Sequence, residues 1–286
     1  MKKSSLLYST LVIAIHSWAQ QTINPSYNYQ FESKIEEIEI APGGILVVGT
    51  GKGFSAIEAH KQGVIYEYTE LGKIKPEEME LIDGYPWVLL HEGGKFAIKS
   101  KKVLLDYITG KPIFESQKFS WVSPQGFKFI PERAELILYG SHSKSWYCLG
   151  IYDIQNQKEI AFYDLGDKKN GGGLVFWDQI VFDDTHAFIP TSKSVICINI
   201  QSKKIEWICK DISNKIPGIN FFWDDESNAT YAYSTFLKSP IYKINNSTGE
   251  LSWKKPIKLA GAVKELRKIN GGLYVYAEET KKFEKQ

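Results

Sequence analysis

The chain of 286 residues is 43% apolar and 24% charged, enough apolar mass for a sizeable core, and its 35 basic residues nearly balance 33 acidic ones. That balance excludes the broad basic footprint by which proteins neutralise nucleic-acid phosphates, so no nucleic-acid partner is expected. Three cysteines are too few for a disulfide scaffold, and no stretch reaches the roughly 20 apolar residues of a membrane-spanning helix, so no transmembrane segment is expected.

At the start of the chain, Lys2 and Lys3 precede an apolar run from Leu6 to Ile15, and Ser17-Trp18-Ala19 offers small residues at the two positions a signal peptidase reads. Residues 1–19 are therefore expected to be a signal peptide cleaved after Ala19, and residues 20–286 a single secreted or periplasmic domain. No cysteine follows the cleavage site, so no lipid anchor is expected. Cleavage removes two lysines and no carboxylate, which leaves the mature chain neutral.

Beyond residue 20 one ten-residue frame recurs. It reads IEAHKQGVIY at Ile57–Tyr66, LDYITGKPIF at Leu105–Phe114, INIQSKKIEW at Ile198–Trp207 and INNSTGELSW at Ile244–Trp253, while Tyr152–Phe162 fits with one extra residue. The closing aromatics Tyr66, Phe114, Phe162, Trp207 and Trp253 are 48, 48, 45 and 46 residues apart. A unit of that length, with strand pattern on both sides of a turn, marks a β-propeller blade. Tight turns recur at Pro42-Gly43-Gly44, Glu92-Gly93-Gly94, Pro131–Ala134, Asp183–His186, Asp224–Asn228 and Asn270-Gly271-Gly272. Runs such as ILVVGT (45–50), ELILYG (135–140) and LYVYAE (273–278) carry the β-branched and aromatic residues of strands. The expectation is an all-β propeller of six four-stranded blades, with five or seven as the alternatives. Too little chain remains after residue 278 to complete the last blade, so Tyr27–Glu32 is expected to enter it and close the ring.

These residues carry a family resemblance. Asn245–Trp253 and Asp106–Phe114 resemble the repeat of the pyrroloquinoline-quinone-like propellers, with Thr109, Gly110, Thr248 and Gly249 at the hairpin turn and the aromatic docking one blade on the next. Val122–Pro131 (VSPQGFKFIP) is similar to the S-P-D-G phrase of WD-like repeats. Lys61-Gln62, Asn156-Gln157 and Ser202-Lys203 depart from Thr-Gly in the other frames. Quinone dehydrogenases of this resemblance use adjacent cysteines, calcium-ligating carboxylates and a catalytic aspartate, a constellation absent here. The resemblance thus implies the non-catalytic branch, whose members are similar to assembly scaffolds. No cofactor is expected.

Other chemistry is sparse. GTGKG (49–53) is similar to a phosphate loop but lacks the following Ser or Thr and the helix. Asp183-Asp184-Thr185-His186 has ligand types that suit a metal but reads as a solvated turn. His60, His91 and His142 have no visible nucleophile partner, and no catalytic residue is assigned. Cys148, Cys197 and Cys209 read as small apolar fillers on strands, although a bridge between Cys197 and Cys209, which flank one hairpin, stays open in an exported chain. Trp121 and Trp177 lie near strand ends, where aromatics pack blades or meet carbohydrate and peptide ligands. An enzyme alternative, similar to six-bladed lactonases, would hold a divalent metal in a central channel, with Asp178 and Asn220 as its ligands.

Each expected loop between second and third strand also contains lysine: Lys52, Lys101 and Lys102, Lys144, Lys193, Lys238, and Lys281 and Lys282. On a propeller these loops share one face, so the sequence predicts a basic crown. The opposite turns carry Glu92, Glu132, Asp183, Asp184, Asp224, Asp225 and Glu226. The expected function is a non-catalytic scaffold that binds a protein or an anionic polymer such as an acidic glycan.

Overall fold

The computed structural model describes residues 29–58, 64–75, 78–92, 100–167, 172–212, 219–235, 240–253, 257–259 and 261–278. Their strands form six antiparallel up-and-down sheets in chain order. The first sheet holds β1 (Ile35–Ala41), β2 (Ile45–Thr50), β3 (Phe54–Glu58) and β4 (Val64–Tyr68). In the second are β5 (Met79–Ile82), β6 (Trp87–Glu92), β7 (Lys101–Asp106) and β8 (Pro112–Glu115). The third has β9 (Trp121–Ile130), β10 (Glu135–His142), β11 (Ser145–Asp153) and β12 (Lys158–Asp164), and the fourth β13 (Val181–Phe182), β14 (His186–Pro190), β15 (Val195–Asn199) and β16 (Lys204–Cys209). A fifth sheet contains β17 (Ile219–Asp224), β18 (Ala229–Ser234) and β19 (Tyr242–Asn245); the sixth pairs β20 (Ala262–Ile269) with β21 (Gly272–Glu278).

Each sheet packs face to face on the next. Val47, Phe54, Leu90 and Val103 share a buried cluster between the first two sheets, while Leu104, Phe114, Leu136 and Tyr152 lie between the second and third. Ile137 and Ile151 meet Ile189 and Ile196, then Phe188 and Cys197 meet Phe221 and Ala232, and Tyr231 and Tyr233 meet Val263 and Leu266. Strands covered on both faces must be apolar at consecutive positions, which is why β10 reads ELILYG rather than alternating. Among the described residues no such cluster joins the sixth sheet to the first. Ile38 and Ile40 on one end sheet are 51% and 74% exposed, and Tyr274 and Tyr276 on the other 57% and 60%.

The recurring frame builds the last turn of the second, third, fourth and fifth sheets. Asp106 Oδ1 accepts the N–H of Ile108 (2.8 Å) and Thr109 (2.9 Å), and Asn245 Oδ1 accepts those of Ser247 (2.8 Å) and Thr248 (3.1 Å). Gly110 and Gly249 then take φ +72, the left-handed region that costs a glycine little. Close approach is a second reason for glycine. A Cβ on Gly110 would lie 2.8 Å from the Tyr66 ring of the preceding sheet, and one on Gly249 would lie 2.9 Å from Trp207 Cβ. Turn glycine and closing aromatic of consecutive units are thus one contact. Past the turn, the first four sheets share a β-bulge that leaves Ile65, Ile113, Ile160 and Glu206 unpaired.

Three expectations need correction. In the third sheet Ala161, not Phe162, pairs with Ile151, as Phe114 pairs with Leu104, so Phe162 faces back toward the second sheet. The docking position is free for alanine there because Tyr139, Tyr147, Tyr163 and Trp177 fill that junction. The first turn of the second sheet is residues 83–86, since β6 runs on to Glu92 and pairs along its length with β7. Tyr29–Glu32, the described part of the expected closing strand, is not a strand: Tyr29 donates to Glu58 O (3.1 Å) and Glu32 pairs with Lys52, which hold it on the first sheet. As expected of apolar fillers, Cys148, Cys197 and Cys209 are buried and none is in a disulfide.

Candidate functional site

The second hairpin of the first, third and fourth sheets is one recurring turn. It reads Thr50-Gly51-Lys52-Gly53, His142-Ser143-Lys144-Ser145 and Thr191-Ser192-Lys193-Ser194. Its first side chain accepts the lysine N–H: Lys52 to Thr50 Oγ1 at 3.2 Å, Lys144 to His142 Nδ1 at 3.1 Å and Lys193 to Thr191 Oγ1 at 3.1 Å. In the Thr turns the same hydroxyl also accepts the next N–H, and the backbone closes through Thr50 N–H to Gly53 O and Thr191 N–H to Ser194 O, both 2.7 Å. Small residues on either side leave room for this wrap, and the lysine stands at its tip.

In an up-and-down sheet this hairpin emerges at the same end as the links between sheets. Hydrogen bonds from Ile74 N–H to Thr50 O, from Ser143 N–H to Ser120 O and from Ser192 N–H to Leu174 O tie the turns to those links. Lys52 is 62% exposed and bonded to Glu32 at 2.6 Å, a contact that raises its pKa and keeps it cationic. Lys144 lies 4.7 Å above the Phe162 ring, which gives that misassigned aromatic a role as a cation–π partner. Lys101 pairs with Glu92 at 3.4 Å.

Lys102 differs from the expectation. It is 4% exposed, over the Phe127 ring, and burial pushes its pKa down to about 8 against the pull of Glu80 and Glu78. The strand period explains it, since neighbours on β7 point to opposite faces. Lys238, Lys281 and Lys282 lie outside the described residues, as does the signal segment 1–19.

Of the two tryptophans proposed for ligand contact, Trp121 lines a cavity of about 330 Å³ together with Glu92 and Lys101, while Trp177 is half-buried. Trp121 is buried and donates its indole N–H to Tyr152 OH at 2.6 Å, and Trp177 stacks on Tyr139 at 5.9 Å between sheets. Asp178 sits on a 3-10 turn before β13, and Asn220 on β17 accepts the N–H of Phe221. Neither belongs to the one group of three metal-ligating side chains found among the described residues, which is His186, Cys197 and Glu206.

Two further cavities lie at opposite ends of the sheets. One of about 320 Å³ opens beside the first lysine turn and is lined by Tyr29, Glu32, Thr50, Lys52 and Glu67. Another of about 470 Å³, lined by Glu132, Arg133, Asp183, Asp184 and Gln201, lies at the other end of the third and fourth sheets. There Glu135 bridges Arg133 (2.9 Å) and Lys203 (2.8 Å), a link between sheets that sequence reading missed because 68 residues separate Glu135 from Lys203.

No family model and no curated protein matches the chain. Among solved structures it is similar to the dihydro-heme d1 dehydrogenase NirN at 12% identity and a TM-score of 0.44, covering 91% of this chain and 55% of that one. It is also similar to Kluyveromyces lactis Hsv2 at 12% identity and a TM-score of 0.40, covering 86% and 72%. The chain spans about half the length of NirN. Neither likeness decides fold or activity.

Proposed function

We propose that the six sheets are the blades of an exported β-propeller of the quinone-like and WD-like kind, and that it is a non-catalytic scaffold for an anionic polymer or an acidic protein surface. The observation that carries this reading is the threefold use of one lysine-bearing turn at the end of the sheets where the links run. A hairpin tip needs no lysine for its own geometry; the capping hydroxyl or imidazole and the small neighbours suffice. Sheets stack about 10 Å apart, so the turns of the first, third and fourth sheets set cations roughly 20 and 10 Å apart along one end of the sheets. Inter-sheet docking through the turn glycines supports the blade assignment.

The test is binding of the purified chain to a sulfated polysaccharide, an uronic-acid polymer and polyaspartate across a salt series. Exposed charge contacts contribute about 0.5 kcal/mol each, so changing Lys52, Lys144 and Lys193 to Gln is expected to weaken binding by about tenfold and to flatten its salt dependence. Equal binding by parent and variant refutes the scaffold reading. Intact mass of the exported chain checks the proposed cleavage after Ala19.

A further inference from the structure

The shared bulge departs from the repeat in one sheet. Its unpaired residue is isoleucine in the first three sheets and Glu206 in the fourth. Strand register aligns Cys197 with Ala56, Leu104 and Ile151, and aligns His186 with Ile45, Trp87 and Glu135, the last already held by Arg133 and Lys203. Of these four sheets, the fourth alone replaces an otherwise largely apolar trio with a nitrogen, a sulfur and an oxygen donor.

The three donors converge. His186, Cys197 and Glu206 offer ligand atoms that all lie within 4.8 Å of one another. His186 is 4% exposed and Cys197 fully buried. The imidazole Nε2 is buried and makes no hydrogen bond, although Glu206 Oε2 is 3.4 Å away. Behind it, Nδ1 lies 2.7 Å from Thr185 Oγ1, whose hydroxyl in turn donates to Asp183 Oδ1. That relay places the ring proton on Nδ1 and leaves the Nε2 lone pair aimed at Cys197 and Glu206. Asn199 Nδ2 fixes Glu206 by donating to Oε1 at 2.8 Å, which leaves Oε2 toward the imidazole. Trp223 covers the ring, stacked 3.7 Å from its centroid.

We propose that His186 Nε2, Cys197 Sγ and Glu206 Oε2 bind a divalent cation of the Zn2+ class. Bonds of about 2.0–2.3 Å in a tetrahedron set donors roughly 3.3–3.8 Å apart, close to the His186–Glu206 spacing. The sulfur and nitrogen donors select against Ca2+ and Mg2+, which take oxygen ligands. On coordination the thiol proton leaves to solvent and the thiolate lone pair forms the bond. Glu206, whose side chain is 28% exposed, supplies the path in and leaves a fourth position for water. Such an ion ties β14, β15 and β16 together, and it departs from the cofactor-free expectation of the sequence.

The experiment is a Zn2+ titration of the purified chain against a chromophoric chelator, with Co2+ as spectroscopic probe. One equivalent of Zn2+ is expected, with a rise in Tm, and the Co2+ form is expected to show a thiolate charge-transfer band. Cys197→Ala removes the band while Cys148→Ala keeps it. Asp183→Asn weakens Zn2+ by about 10- to 100-fold, the usual cost of losing the carboxylate behind a metal-bound imidazole. Glu206→Ile, which installs the residue of the other three bulges and so preserves the hairpin, weakens it by at least about tenfold. Absence of stoichiometric Zn2+ binding overturns the proposal, as does equal binding by Cys197→Ala or Glu206→Ile, or equal affinity for Ca2+. Should Cys197→Ala fail to fold, Glu206→Ile decides alone.

Discussion

Replacing Gly110 by alanine separates two roles that the repeat assigns to one residue. The left-handed φ of +72 costs an alanine about 1–2 kcal/mol. A Cβ would also stand 2.8–3.0 Å from three atoms of the Tyr66 ring, and a planar ring between two sheets cannot swing aside as a flexible chain would. Overpacking of that kind costs about 1–3 kcal/mol more. Gly43 is the control, because its φ of +82 carries the same backbone strain with nothing within 4 Å of the added Cβ. At about 2–4 °C per kcal/mol for a domain near this size, Gly110→Ala should melt at least about 2 °C below Gly43→Ala. Urea unfolding of Gly110→Ala, Tyr66→Ala and the double variant should give a coupling of about 0.5–3 kcal/mol, with the second substitution relieving the first. Equal losses for Gly110→Ala and Gly43→Ala, or strict additivity, would refute blade docking through this turn.

Other residues make sharp predictions. Tyr152→Phe leaves the buried Trp121 N–H without its acceptor and should cost about 1–3 kcal/mol in urea unfolding, so an unchanged midpoint contradicts it. His91 is held neutral in the fold, with a pKa lowered to about 4 by burial and by the charges of Lys102 and Lys75, whereas the unfolded chain protonates near 6.5. The unfolded state thus binds more protons between these values, so stability is full above pH 6.5 and falls as pH drops toward 4. His91→Leu should flatten Tm against pH across that window. Glu32→Gln releases Lys52 from its 2.6 Å partner and should tighten polyanion binding at low salt, with no change or weakening counting against a rim role for Lys52.

What could be read from sequence was local. Asp106, Thr109 and Gly110 write one turn within five residues, and Asn245, Thr248 and Gly249 repeat it, so hairpin, aromatic and period were all visible. Phe162 misled because Ala161 holds the docking position and an aromatic of the opposite face stands next to it; only pairing with Ile151 tells them apart. Residues 83–86 and 92–94 both read as glycine-bearing turns in the sequence, and choosing between them requires knowing that β6 has partners on both sides. Lys102 sits beside Lys101 in the chain and on the opposite face of the strand. The His186, Cys197 and Glu206 group spans three strands, and its signal, ligand types where equivalent positions are mostly apolar, appears only once strand register aligns the sheets.

The proposed propeller requires the six sheets to close into a ring, and a distance between equivalent turns of the first and sixth tests it most directly. Spin labels on Pro42→Cys and Asn270→Cys occupy exposed first turns of those sheets, and the three native cysteines are buried. Neighbouring sheets stack about 10 Å apart, so a closed ring predicts a distribution centred below about 20 Å once the labels are included, whereas six sheets in an open row would separate the turns by up to about 50 Å. A single peak beyond about 30 Å would contradict the ring.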